Sequence, residues 1–187
     1  MQNMADRPYR RVAHDLIRAG SSGGSLRLCV ISDSMKPLIC AGDVVIVQPI
    51  EPAALRRGDM VVIQSGDELI THRLVAASAA GYYVRGDNAA YTDAVAAADQ
   101  IVGRVIAVER DGQSIDVRSR RWTRANRMLG RLGQIHSALY HWGQSVTSSA
   151  ANTPRRRWRS VGAQLLALPF RWVMRSIIYL MMRWSRS

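Results

Sequence analysis

Past Asp116 the sequence contains no aspartate or glutamate, and in its 187 residues it contains one lysine, Lys36. Charge is therefore unevenly placed. Residues 1–117 carry 12 basic and 14 acidic side chains, whereas residues 118–187 carry 14 arginines and no acid, so the formal net charge of +12 resides wholly in the C-terminal stretch. Such a segment attracts polyanions, either nucleic-acid phosphates or anionic membrane head groups, and its charge alone does not choose between them. Cysteine is also scarce: the spacing of Cys29 and Cys40 fits neither a metal knuckle nor a redox pair, so two buried structural thiols without a disulfide are expected. No cofactor and no metal is expected. The N-terminal residues hold no apolar run long enough for a signal peptide or a spanning helix. Residues 161–182 are strongly apolar but are interrupted by Pro169, Arg171 and Arg175. An arginine near the centre of a span costs about 2.5–3.5 kcal/mol, which argues against a simple transmembrane helix there.

What is present is enough for one packed domain and an extension. Residues 8–19 have the spacing of a short helix, with Val12, Leu16 and Ile17 on one side and Gly20 as a stop; residues 1–25 form a helix and linker. From Leu26 short runs rich in Val and Ile alternate with turn signals at Gly42-Asp43, Gly58-Asp59, Gly66-Asp67 and Asp111-Gly112. That spacing predicts a mainly β domain over residues 26–117, an antiparallel sheet coiled on itself or closed as a barrel. Residues 118–187 read as a basic helical tail. In it Met128, Leu129, Leu132, Ile135, Leu139 and Trp142 make an apolar stripe opposite Arg120, Arg124, Arg127 and Arg131. A polar linker from Ser145 and a last apolar segment follow, suited to a membrane interface or to a partner.

The chemistry-bearing stretch is Ser32-Asp33-Ser34-Met35-Lys36-Pro37. A serine hydroxyl is a poor nucleophile unless a base takes its proton and donors await the oxyanion, so partners have to come from elsewhere in the chain. In order there follow Gly42-Asp43, Arg57-Gly58-Asp59-Met60, Ile70-Thr71-His72-Arg73, Gly86-Asp87-Asn88 and Ile101-Val102-Gly103-Arg104. Several weak motifs in one order make a stronger signal than any of them alone.

This series resembles the boxes of type I signal peptidases over about residues 26–110, in the Ser/His branch of the endoplasmic reticulum and archaeal enzymes. The usual bacterial enzymes and the related self-cleaving repressors use a lysine on a downstream strand as base. Here Lys36 stands beside the serine instead, and arginine, which keeps its proton throughout the physiological pH range, cannot replace it. The resemblance puts His72 at the base position, and an imidazole is a competent base near neutral pH. It implies Ser34 as nucleophile, Asp93 as the residue orienting His72 with Asp87 in support, and the Ser34 N–H with the Ser32 hydroxyl as oxyanion donors. Ser32→Ala is expected to slow turnover without unfolding the chain. Met35 and Pro37 are expected to shape the substrate pocket. Asp43 and Asp59 read as turn and strand-end residues, and His14, His136 and His141 as surface or interface residues.

The implied activity is serine endopeptidase cleavage of secreted or membrane precursors after small residues, with the basic tail on an anionic membrane surface. Nucleic acid is not the expected partner, because the arginines share their helices with Leu, Trp and Met. Two alternatives remain open: a catalytically silent membrane-binding or scaffold module of the same fold, and a self-cleaving nucleic-acid-associated regulator.

Overall fold

The computed structural model describes residues 24–89, 94–148, 172–173 and 176–180. The helix expected over residues 8–19 and the candidate residue Asp93 lie outside these. The described chain is mainly β: β1 (Leu26–Cys29), β2 (Val44–Gln48), β3 (Met60–Ser65), β4 (Glu68–Ser78), β5 (Gly81–Arg85), β6 (Ala94–Ala96), β7 (Ile101–Arg110) and β8 (Gln113–Asp116), then one long helix, α1 (Arg120–Ser148). All pairings are antiparallel, in the order β1-β2-β7-β3-β4-β5-β6, with β8 returning onto β7. The expected coiled antiparallel sheet is what the chain forms, a half-barrel with a helix near its C-terminal end.

The curl explains why β3 reads as an unbroken apolar run rather than an alternating one. Met60 and Val62 enter one hydrophobic cluster while Val61 and Ile63 enter another, so both faces of this central strand are covered. The larger cluster joins Met35, Leu38 and Ile39, from the segment after β1, to the sheet residues Val45, Val62 and Val108 and to Trp122, Ala125 and Leu129 of α1. Ile178 also enters it, fully buried. The tail thus contributes to the core of the β domain. Truncating a buried leucine such as Leu129 to alanine would cost about 2–5 kcal/mol.

Ser119 starts α1: its Oγ accepts from the Trp122 N–H at 3.4 Å, the pattern of an N-cap. The helix lies very close to the connection between β2 and β3. Gly58, at φ +98°, could not carry a side chain, since a Cβ there would fall 2.2 Å from the Asn126 carbonyl oxygen. The buried face of α1 runs through Trp122, Ala125, Asn126, Leu129, Gly133 and His136, whereas Met128 and Ile135 of the expected stripe are exposed. Among the described residues, no helix is long and apolar enough to cross a membrane.

Candidate active site

Ser34 lies in the turn that follows β1, and its neighbour Met35 is anchored in the main core with 1% exposure. The loop after β5 clamps this turn. The Asn88 N–H donates to the Ser34 carbonyl at 2.8 Å, the Asn88 side-chain amide donates to the Asp33 carbonyl at 3.4 Å, and the Asp87 N–H points to the Met35 sulfur at 3.4 Å. Behind the turn, the Asp43 carboxylate accepts from the Cys40 N–H at 2.7 Å and is gripped through both oxygens by Arg110, at 2.7 and 2.6 Å. The Ser34 segment is therefore held by neutral hydrogen bonds from the loop after β5 and, farther along, by charge-assisted bonds to Asp43.

His72 arrives from β4. It stands opposite Val61 of β3, and because Arg73 pairs with Arg85 of β5, the strand register brings His72 level with Gly86. Gly86 is where serine and histidine meet. A Cβ placed on Gly86 would lie 3.3 Å from His72 Nε2, 3.3 Å from Ser34 Cβ and 2.8 Å from the Ser34 carbonyl oxygen. Two of the atoms that matter, the carbon carrying the hydroxyl and the imidazole nitrogen, thus border one point and are separated by no more than twice that 3.3 Å. The glycine is required because a Cβ there would collide with the Ser34 carbonyl while crowding the serine and the imidazole.

Immediately behind these residues is a buried ion pair. Arg73 donates through Nε and Nη2 to the two oxygens of Asp87, at 2.7 and 2.6 Å, and through Nη1 to the Gly58 carbonyl at 2.9 Å and to Asn126 Oδ1 at 2.8 Å. Both side chains of the pair are almost fully buried. The structure places Asp87 in this frame, with its carboxylate engaged by Arg73, one residue away from the Ser34–His72 meeting point. Arg85 makes a similar reach, donating to the carbonyl of Gly133 in α1 at 3.2 Å and to that of Ala89 at 2.6 Å. Sequence reasoning passed over Arg73, Arg85 and Asn126. The available signal was two arginines in strands that are otherwise apolar, where an unpaired charge would be prohibitive.

Lys36 forms an ion pair with the residue that precedes the serine. Its Nζ pairs with the Asp33 carboxylate at 2.8 Å with both side chains largely exposed. That hydrogen bond, and then the one from the Ala41 N–H, hold the Asp33 carboxyl below its ordinary pKa.

A cleft of about 120 Å³ opens beside Ser34 and Ser32. Its floor includes Met35, Val45 and Val62, and its walls include Cys29, Leu69 and Thr71. Ile31, 89% exposed, forms a lip. Met35 thus lines the cleft, while Pro37 does not. Cys29, expected to be buried, is exposed on this wall; Cys40 is partly covered, its carbonyl partner is Pro37, and burial pushes its thiol pKa up. Ser32 is exposed at the rim, and among the described residues the Ser34 N–H meets no acceptor. Strand alternation along residues 28–32 and 69–71 was the signal for these walls, but only the fold shows which face lies beside the serine. Among the described residues no three His, Cys, Asp or Glu side chains converge on a metal-binding position.

The fold, with the family that the sequence matches, indicates a protein of serine-peptidase type. The chain belongs to the Peptidase S24-like family, which matches residues 9–106. No curated protein matches the sequence.

Proposed function

We propose that the protein is a serine endopeptidase resembling signal peptidase I, which cleaves secreted or membrane protein precursors after small residues. The observation that carries the reading is the meeting of Ser34 Cβ and His72 Nε2 at Gly86, with the chain's one lysine engaged elsewhere. In the proposed reaction Ser34 Oγ attacks the scissile carbonyl while His72 takes its proton. The imidazolium returns that proton to the departing amine, and water activated by His72 then hydrolyses the acyl-enzyme. The Ser34 N–H and the Ser32 hydroxyl hold the oxyanion. Asp93 is proposed to orient the imidazole, with Asp87 supporting through Arg73.

Attachment to an anionic membrane is part of this proposal. It is supported by exposed Met128 and Ile135 beside the arginines of α1, and by exposed Trp172, Val173, Tyr179 and Leu180 in the described parts of the tail, where Ile178 is anchored in the core. The test is cleavage of a precursor bearing an A-x-A site by the wild type, Ser34→Ala and His72→Ala. Both variants should be inactive, and equal cutting by all three would defeat the assignment.

The S24-like match favours a second reading, in which the chain cleaves itself. Self-cleavage proceeds at a rate independent of protein concentration, whereas precursor cleavage rises with enzyme concentration. A dilution series separates the two.

A further inference from the structure

A second cleft, of about 190 Å³, shares no lining residue with the one beside Ser34. Five arginines surround it: Arg56 and Arg57 from the β2–β3 connection, Arg104 from β7, Arg118 from the turn after β8, and Arg127 from α1. They belong to segments already fixed by the sheet and the helix, so the cluster is assembled by the fold rather than by a run of sequence. Gly58 and Asn126, the two residues outside the ion pair that accept from Arg73, also line this cleft.

The positive charge there is poorly compensated. Asp59 is the one carboxylate in the lining; it accepts from the Arg56 N–H at 2.9 Å and approaches Arg104 only to 3.8 Å. Arg118 pairs outside the cleft with Asp116 at 3.3 Å, both exposed. No described acidic group pairs with Arg56, Arg57 or Arg127, and among the described residues the buried Arg104 Nε–H meets no acceptor. Lysines crowded in this way could lose protons, but guanidinium groups stay charged, so an anion held among them would relieve their mutual repulsion more directly than solvent alone. Their planar donors match the oxygens of phosphate in pairs.

We propose that this cleft binds the phosphate of a small anionic group, either the head group of an anionic phospholipid or a free phosphate or pyrophosphate. A single concave pocket suits one such group. A nucleic-acid strand, with a charge about every 3.4 Å, calls for an extended stripe instead.

Inorganic pyrophosphate titrated into the full-length chain at constant ionic strength, followed by calorimetry and thermal melting, tests the site. Saturable binding and a raised melting temperature are expected, since a ligand of the folded state stabilises it. Affinity should fall at least about tenfold, roughly the loss of one charge-assisted hydrogen bond, in Arg104→Gln and in the double variant Arg57→Gln/Arg127→Gln. The double variant changes exposed side chains and carries the test if Arg104→Gln does not fold. Binding that never saturates, or that is equal in the wild type and the double variant, overturns the proposal. Vesicles of phosphatidylglycerol, compared with phosphatidylcholine, then identify the source. Pyrophosphate competition together with loss of vesicle binding in the double variant supports the lipid head group, and vesicle binding indifferent to both supports the soluble anion. A single-stranded oligonucleotide that binds more tightly than pyrophosphate through the same arginines would overturn the small-group assignment. Precursor cleavage is retained in the double variant, so failure here and failure of the peptidase reading are read out separately.

Discussion

His72 and Gly86 each precede, by one residue, a member of the buried Arg73–Asp87 pair, yet the two neighbouring regions are built for opposite ends. Around Gly86 a serine and an imidazole approach from separate elements, Ser34 from the turn after β1 and His72 from β4. One residue along, four hydrogen bonds fix Arg73 between β4, the loop after β5, the connection before β3 and α1. Strand alternation is the cause, because successive side chains leave a strand on opposite faces. Reactive groups can then occupy one face while the anchor that sets their positions is buried on the other.

The largest way to sharpen this contrast is to remove the two groups proposed to react. Ser34→Ala and His72→Ala are expected to lower precursor cleavage by about 10⁴-fold or more while leaving the denaturation midpoint within about 1 kcal/mol of wild type. Parallel urea melts and cleavage assays check it. A large stability loss in both variants would move these residues from the reaction into the frame.

The converse experiment breaks the frame. Asp87→Asn leaves the Arg73 charge buried without its counter-charge, for which an unfolding loss of about 3–5 kcal/mol is expected in chemical denaturation. Replacing both partners by apolar residues, Arg73→Met with Asp87→Leu, should recover part of that loss, because the desolvation cost of the pair disappears with its attraction. Recovery of stability without recovery of cleavage would show that the pair serves position more than folding.

A smaller effect separates the two buried histidines. His136, expected at the surface or an interface, is 6% exposed on the buried face of α1; burial first, and then the positive charge of Arg85, lower its pKa from 6.5 to about 4. The unfolded chain therefore binds a proton that the folded chain refuses between those two values. Stability from this source is complete above about pH 6.5 and declines as the pH falls towards 4, by at most about 1.4 kcal/mol per unit. Urea melts from pH 7 to 4 should show a shallower decline in His136→Gln than in wild type.

Much of the sheet could be read from the sequence because Val and Ile runs between Gly-Asp turns report local preference. The run Glu68–Ser78 is β4 from end to end, and Asp111-Gly112 marks the turn between β7 and β8. The three-residue β6, Ala94–Ala96, carries too little pattern to be seen. Helix α1 runs to Ser148 through residues taken for a linker, since Ser and Thr only weakly oppose a helix already propagating. The approach of Ser34 to His72 was legible only through the order of motifs. The reach of Arg73 to Asn126, the burial of His136 and the exposure of Cys29 were not legible, because each depends on which face of an element meets a partner distant in sequence.

The smallest expected effect tests the comparison most directly. Lys36 is the one side chain in the sequence of the type that usually serves as base in this kind of site, and it lies two residues from the serine. It is nevertheless paired with Asp33 at the surface, where solvent screening leaves an ion pair little net weight. If His72 is the base, Lys36→Met should change cleavage by less than about threefold and stability by no more than that pair contributes. The pH profile of the variant should keep the wild-type rise on the acidic limb, since that limb belongs to the imidazole. If Lys36→Met were inactive while His72→Ala still cut, the proton would have to leave Ser34 on the exposed side of its turn, and the corner at Gly86 would be a packing contact rather than a reactive one.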